Sequence, residues 1–420
     1  MYTVTHLKNG LTVATAEMPH MASVSLGIWV GVGSRCESRD LNGVCHFIEH
    51  MLFKGTKRRL PREISESVEG IGGYLNAFTS EENTCFHARA AADHFPELLD
   101  VLADMFLNSK FAPADISKER DVIKEEVAMY RDQPQHYVQE ILNATMWPGH
   151  PLGRSITGSN RTLDGIQRKS LLTFFESYYV TGSVVIAAAG KLEHRKILKA
   201  VERIAPRFKC GPRPVFAPAV SNQTASRIRL VTRKSEQTQI ALGIRACSRH
   251  DPRRYALRLL NAILGENMSS RLFQIIREDR GLAYSIYSTP SLFHDAGDLV
   301  ISAGLDADNV PRTLKLIGRE LRRCTESTPG AGELRRACDY VIGQTDLSLE
   351  STDNQMNWIG EQLLGYGKIV PADEYKRQLK RVTPSQIRSV AREFFRPDRM
   401  NLALISPLKS AAGFEKMLLS

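Results

Sequence analysis

The most chemically distinctive stretch of the sequence is an apolar segment at residues 43–56 that reads GVCHFIEHMLFKGT. Two histidines and a glutamate, His46, Glu49 and His50, interrupt this hydrophobic run. Histidines at positions i and i+4 have the spacing of a Zn²⁺ ligand pair, and a carboxylate beside a bound metal can act as a general base. The HxxEH spacing therefore predicts a metal site on this segment.

The three side chains can act together only if the segment forms a helix. At 100° per residue, positions 46, 49 and 50 fall within about one third of a helix circumference, so they project from one face. The remaining positions are apolar all round, which predicts a buried helix. Burying these polar groups without partners would cost several kcal/mol. A pair of hydrogen-bonded core histidines is the alternative, but HxxEH is also a metallopeptidase pattern, which favours the metal.

A catalytic zinc ion needs a third protein ligand, and an acidic segment downstream is the best donor. The run PADISKERDVIKEEVAMYRDQP predicts a helix that Asp115 caps and that ends near Pro134. Glu119 and Glu126 share one face of this helix but lie about 10 Å apart along it. One of them can bind the metal while the other supports a ligand from outside the coordination sphere. A solvated acidic face paired with nearby Lys and Arg residues is the alternative.

The whole chain repeats itself at an offset of about 215 residues. ASVSLGIWV at 22–30 resembles TQIALGIRA at 238–246. DHFPELLDVLADMF, which begins at Asp93, resembles DNVPRTLKLIGREL, which begins at Asp308. FESYYVTGSVVIAAAGKL, which ends at Leu192, resembles REFFRPDRMNLALISPL, which ends at Leu408. Three similarities in the same order and at about the same offset indicate a duplicated domain.

The duplication predicts an α+β fold with two homologous domains, residues 1–210 and 227–420, joined by a linker at 211–226. Strand-like segments such as SVSLGIWV alternate with helical segments such as HFPELLDVLADMFLN, so each domain is expected to be a largely antiparallel sheet packed with helices. The second domain has no HxxEH at the corresponding position. One metal site per chain is therefore predicted.

Composition narrows the possible classes of protein. The 420 residues are 42% hydrophobic and 24% charged, and no apolar run approaches the ~20 residues of a membrane helix, so we expect no membrane insertion. The net charge of +10 is spread along the chain, which favours a solvated basic surface over a nucleic-acid partner. The seven cysteines show no CxxC spacing and predict reduced thiols. The N-terminus lacks signal-peptide features, which predicts a cytoplasmic protein, or a mitochondrial matrix protein if the chain is a processed form.

The combined motifs resemble those of the pitrilysin-type (inverzincin, M16) zinc metallopeptidases. The likeness rests on HFIEHMLFKGT, GGYLNAFTSEENTCF and ERDVIKEEVAMYRDQP, and it covers essentially the whole chain. It is strongest for the short branch, with bacterial processing-peptidase-like proteins and the catalytic subunit of mitochondrial processing peptidase. The resemblance implies one Zn²⁺ held by His46, His50 and Glu126. It also implies that Glu49 is the general base and that Glu119 supports the site without binding zinc.

The resemblance also implies how a substrate is held. Arg277 and Tyr284 match a pair that family members bring from the C-terminal domain to a bound peptide, where both can donate hydrogen bonds to a carbonyl or oxyanion. Asn76 and Ala77 match an edge strand that pairs with extended substrate. The two domains are expected to form a clamshell around a chamber, and the chain to form a homodimer or a heterodimer with a similar subunit. The implied function is zinc-dependent endopeptidase or oligopeptidase cleavage of short or unfolded peptides; the alternative is a non-proteolytic structural subunit.

Overall fold

The computed structural model of the protein describes residues 2–219 and 222–419. The strands of the first half of the sequence are β1 (Tyr2–His6), β2 (Thr12–Glu17), β3 (Ser23–Val30), β4 (Tyr74–Thr79), β5 (Thr84–Ala91) and β6 (Val184–Gly190). Those of the second half are β7 (Arg227–Thr232), β8 (Thr238–Ala246), β9 (Ala283–Leu292), β10 (Gly297–Leu305) and β11 (Met400–Ser406).

Fifteen α-helices are present in the described residues, and none of them is both long and apolar enough to cross a membrane. The first eight are α1 (Val44–Leu52), α2 (Pro61–Glu69), α3 (Phe95–Asn108), α4 (Pro113–Asp132), α5 (Pro134–Met146), α6 (Asn160–Gly165), α7 (Arg168–Tyr178) and α8 (His194–Ile204). The others are α9 (Arg254–Leu264), α10 (Val310–Glu326), α11 (Ala331–Ser348), α12 (Thr352–Tyr366), α13 (Ala372–Lys380), α14 (Pro384–Phe394) and α15 (Phe414–Leu419).

The two sheets share one topology, which confirms the predicted α+β class. The first sheet has the strand order β1-β2-β6-β3-β5-β4, and the second has β7-β11-β8-β10-β9. In each sheet one pair is parallel, β2 with β6 and β7 with β11, and the other neighbouring pairs of the described strands are antiparallel. The order and relative direction of the five strands that begin with β2 in the first sheet therefore recur in the second sheet, which begins with β7.

The described chain forms two compact units, and neither is a continuous stretch of sequence. The first unit consists of residues 2–129, 154–217 and 347–371. The second consists of residues 130–153, 218–346 and 372–419. Each unit thus includes a segment from the opposite half of the sequence. The domain boundaries at residues 210 and 227 stay predictions.

Helices cover both faces of the sheet in the first unit. On one face, side chains of β3, β5 and β6 pack against α1, α3, α7 and α8. On the other face, β3 and β6 pack against α12, and Trp29 lies so close that a Cβ added to Gly360 would stand 2.3 Å from its ring. Burial on both faces explains why β6 reads VVIAAAG without a polar side chain.

The second unit is built in the same way. One face of its sheet packs against α9, α10, α14 and α15. The other face packs against α5, where Val138 and Leu142 meet Ala241 and Ala403. The segment that brings α5 comes from the first half of the sequence, just as α12 comes from the second half.

Helix α4 begins three residues earlier than its sequence predicts. It starts at Pro113, so Asp115 lies in the first turn and the prediction that Asp115 caps the helix is wrong. Proline fixes φ near the helical value and has no N–H to satisfy, which suits the first helical position. The helix ends at Asp132, before Pro134, as predicted.

Candidate metal centre

Helix α1 begins in a conformation that favours glycine. Gly43 has a φ of 97°, and an added Cβ would lie 2.8 Å from the carbonyl oxygen of Thr157. Glycine has no side chain with which to cap the helix, and the buried carboxylate of Glu37 takes this role. Its Oε2 accepts hydrogen bonds from the Gly43 N–H at 2.8 Å and from Asn42 Nδ2 at 2.9 Å, and its Oε1 accepts one from the Cys45 N–H at 2.9 Å. A carboxylate at a helix N-terminus is also favoured by the helix dipole, so the start of α1 is firmly held.

The two histidines of α1 converge on one carboxylate oxygen of α4. His46 Nε2 and His50 Nε2 each lie 3.6 Å from Glu126 Oε2. A tetrahedral zinc ion with bonds of about 2.0–2.2 Å holds its ligand atoms roughly 3.4 Å apart. Two nitrogens and one oxygen are also a donor set of catalytic zinc sites, which keep a fourth position open. The three residues therefore fit a zinc ion.

The orientation of helix α4 explains why Glu126, and not its neighbour Glu125, lies at the two histidines. Ile116, Ile123 and Val127 are buried and lie on the face of the helix that packs into the first unit. Glu126 is partly buried beside them, whereas Glu125 is exposed. The helix geometry thus places Glu126 at the histidines and Glu125 in solvent.

Glu119 lies on the opposite side of the His50 ring from Glu126. It is only 1% exposed, and its Oε2 accepts a hydrogen bond from His50 Nδ1 at 3.1 Å. Its other oxygen lies 2.9 Å from Lys54 Nζ. A carboxylate that holds the remote nitrogen of a ligand histidine fixes the ring orientation, which is the arrangement expected of a supporting residue.

The electrostatics of the two imidazoles differ. Burial and the neighbouring His50 lower the pKa of His46 to about 4, so this ring is neutral at neutral pH, as a metal ligand must be. Burial also lowers the pKa of His50, but hydrogen bonds to Glu126 and Glu119 outweigh it and raise the pKa overall. Among the described residues His46 Nδ1 is buried without a hydrogen-bond partner, so this ring lacks the carboxylate support that His50 has.

Glu49 is held beside this cluster by the edge strand. Thr79, the last residue of β4, donates a hydrogen bond of 2.5 Å from Oγ1 to Glu49 Oε2. Burial raises the pKa of the Glu49 carboxyl. Thr79 was not identified from the sequence, because its contact joins segments 30 residues apart along the chain.

Asn76 and Ala77 lie on β4, which forms one edge of the first sheet. Asn76 is exposed, and its Oδ1 accepts a hydrogen bond from the Ala77 N–H at 2.8 Å, while its Nδ2 donates to the Tyr74 hydroxyl at 2.5 Å. Helix α1 packs beside the same strand. The two residues predicted to contact substrate therefore lie on an edge strand, next to the helix that carries His46 and His50.

Arg277 and Tyr284 lie together in the second unit, at two departures from regular geometry. Arg277 belongs to a π-helical turn, Phe273–Glu278. Tyr284 is the extra residue of a bulge in β9, because Ala283 and Ser285 pair with consecutive residues of β10. The guanidinium lies 5.9 Å from the centre of the Tyr284 ring, which is 75% exposed. Such irregularities are frequent at functional sites, where they re-aim side chains.

Comparison with known families identifies both halves of the chain. Residues 12–160 match the family model of insulinase, peptidase family M16. Residues 165–340 match the model of the peptidase M16 inactive domain, in agreement with the missing HxxEH of the second half. Together the two matches cover most of the sequence.

Individual relatives match over almost their full length. The chain is 38% identical to an uncharacterized zinc protease of Streptomyces coelicolor, covering 96% of this chain and 89% of the relative. It is 37% identical to the uncharacterized zinc protease YmxG of Bacillus subtilis, covering 95% and 97%. In fold it matches a crystal structure of a protease from Helicobacter pylori with a TM-score of 0.91 at 20% identity, covering 97% of this chain and 99% of that one. The chain therefore belongs to peptidase family M16, and it is a zinc metallopeptidase.

Proposed function

We propose that this protein is a zinc-dependent endopeptidase or oligopeptidase that cleaves short or unfolded peptides. The observation that carries the proposal is the convergence of His46 Nε2 and His50 Nε2 on Glu126 Oε2, each at 3.6 Å. These three residues would hold a zinc ion, which would lower the pKa of a water molecule and polarise the scissile carbonyl. Glu119 supports the site by orienting His50.

Glu49 is the proposed general base. Thr79 occupies its Oε2 by hydrogen bonding, which orients the carboxylate and leaves Oε1 to take a proton from the attacking water. The pKa of the carboxyl is raised by burial, which makes the carboxylate a stronger base and lets the acid form pass the proton on to the leaving amine.

The edge strand is the proposed binding surface for the substrate main chain. Asn76 Oδ1 accepts the hydrogen bond of the Ala77 N–H, in the way that the carbonyl of an added peptide strand would. An extended peptide would take over this N–H and release the Asn76 side chain for a contact of its own. Recognition through the main chain places few demands on substrate sequence, which suits an oligopeptidase.

Arg277 and Tyr284 are the proposed hydrogen-bond donors that the second unit contributes to bound substrate. Their mutual contact and the exposure of the Tyr284 ring support this role. A clamshell with a chamber, and assembly as a homodimer or a heterodimer with a similar subunit, belong to the same proposal. The cytoplasmic location predicted from the N-terminal sequence stays a prediction.

The decisive experiment combines metal analysis with a peptide digest. Wild-type protein should bind one zinc per chain and hydrolyse fluorogenic peptides, and chelation should abolish the hydrolysis. Glu49→Gln should keep the zinc and lose turnover by at least about 100-fold, because only the base is removed. Glu125→Gln is the matched control, since Glu125 is exposed, and it should keep both properties. Zinc-loaded wild-type protein that cleaves no peptide would instead support the non-proteolytic structural subunit.

A further inference from the structure

Lys54, near the end of the apolar segment at residues 43–56, has no part in the chemistry proposed above. Its side chain nevertheless contacts Glu119, the buried carboxylate that supports His50. Lys54 Nζ lies 2.9 Å from Glu119 Oε1. The other oxygen of the same carboxylate accepts the hydrogen bond from His50 Nδ1 at 3.1 Å. One carboxylate therefore joins the ammonium group to the ring of a proposed zinc ligand.

The backbone that carries Lys54 is fixed by the two residues that follow it. Gly55 has a φ of 96°, which lets the chain turn directly after Lys54. Thr56 is fully buried, and its hydroxyl donates to Asp104 at 2.7 Å and accepts from the backbone N–H of Arg59 at 2.9 Å. This anchoring to α3 holds the Lys54 backbone in place, so fewer degrees of freedom have to be ordered when its side chain reaches Glu119.

Glu119 needs such a partner because of where it lies. It is 1% exposed, and the metal centre already contains the carboxylates of Glu49 and Glu126. A buried carboxylate is stable only when charges or hydrogen bonds compensate it. Lys54 supplies a positive charge on one oxygen of Glu119 and leaves the other oxygen for His50.

We propose that Lys54 is a positioning residue for the metal centre. It acts through Glu119, which it holds in the orientation that points His50 Nε2 at Glu126. This inference rests on the proposed zinc site and extends it to the FKGT end of the segment. Without the ammonium group, Glu119 is held on one side only, and the His50 ring loses part of its fixed orientation.

The test measures zinc affinity by competition with a chelator, which does not depend on activity. Removing a partner outside the coordination sphere typically weakens metal binding or activity 10–100-fold, so Lys54→Met should weaken zinc binding about tenfold. Lys54→Arg keeps the charge and should restore most of the affinity. Lys57→Met is the matched control, because Lys57 lies on the same loop but is exposed, and it should bind zinc like the wild type.

A double-mutant cycle shows whether Lys54 acts through Glu119. If it does, Lys54→Met should cause little further loss of zinc affinity in a Glu119→Gln background. Additive losses, or a folded Lys54→Met protein with wild-type zinc affinity, would overturn the role of Lys54. If the wild type binds zinc and cleaves peptides in that case, the proposed function stands; a wild type that binds no zinc would overturn both. Thermal melting of each variant identifies any change in affinity that follows from a lost fold.

Discussion

The carboxyl group that caps helix α1 makes a quantitative prediction about stability and pH. Burial raises the pKa of Glu37 from 4.5 to about 7, although the Asn42 side chain and the backbone N–H groups of Cys45 and Gly43 lower it. Between these two pH values the folded protein holds a proton on Glu37 and the unfolded chain does not. The free energy of unfolding therefore falls as the pH rises through this window.

The size of the effect follows from the pKa difference. One pKa unit corresponds to about 1.4 kcal/mol, so a rise from 4.5 to about 7 corresponds to about 3 kcal/mol across the window. Glu37→Gln removes the titrating group but keeps a side chain of the same shape. The stability of the variant relative to the wild type should therefore increase by about 3 kcal/mol between about pH 4 and pH 8.

Urea unfolding followed by circular dichroism at several pH values measures this difference. Both proteins are kept in chelator, so that metal binding contributes to neither curve. Comparing the variant with the wild type cancels the other titrating groups, because both proteins carry them. Parallel pH profiles would refute the reasoning, since they would mean that the three hydrogen-bond donors keep Glu37 ionised despite its burial.

Three further substitutions test the second unit and the packing of the first. Arg277→Ala and Tyr284→Phe should lower kcat at least tenfold without releasing zinc, since each removes a proposed donor to the oxyanion. Arg312→Ala, at an exposed position of α10, is the control and should leave the kinetics unchanged. Unchanged kinetics in the Arg277 and Tyr284 variants would show that the pair has no role in turnover. Gly360→Ala should destabilise the protein by about 1–3 kcal/mol, because its Cβ would stand 2.3 Å from the Trp29 ring. Thermal melting checks this, and an unchanged Tm would show that α12 can shift away from the sheet.

The proposed ligand pair could be predicted from the sequence because its geometry is local. His46 and His50 are one helical turn apart, so helix periodicity alone brings them together. Glu126 lies far along the chain, and spacing could not choose between it and Glu119; the family resemblance selected Glu126, and the structure places it at the histidines. The strand repeats and the largely antiparallel sheets were also predictable, since they depend on local alternation.

The contacts that support the site could not be predicted in this way. The hydrogen bond from Thr79 to Glu49 and the ion pair of Lys54 with Glu119 join segments that are separate in sequence. Glu37 lies in a loop before α1, and nothing in its spacing marks it as the cap. The sequence also could not predict which sheet α5 and α12 cover. An apolar helix face can pack on either sheet, and only tertiary packing decides between them.

Helices α5 and α12 each belong to the unit formed mainly by the other half of the sequence. This exchange bears on how the chain can arise by duplication and on how it can be cut into fragments. A half-length chain with this repeat would cover both faces of its sheet only by giving its helix to a second copy and receiving one in return, as in domain swapping. Duplication within one polypeptide makes that exchange intramolecular. A cut between residues 211 and 226 would therefore leave two fragments that each lack a helix of their own unit. Each unit of the protein is thus completed by a helix from the other half of the sequence.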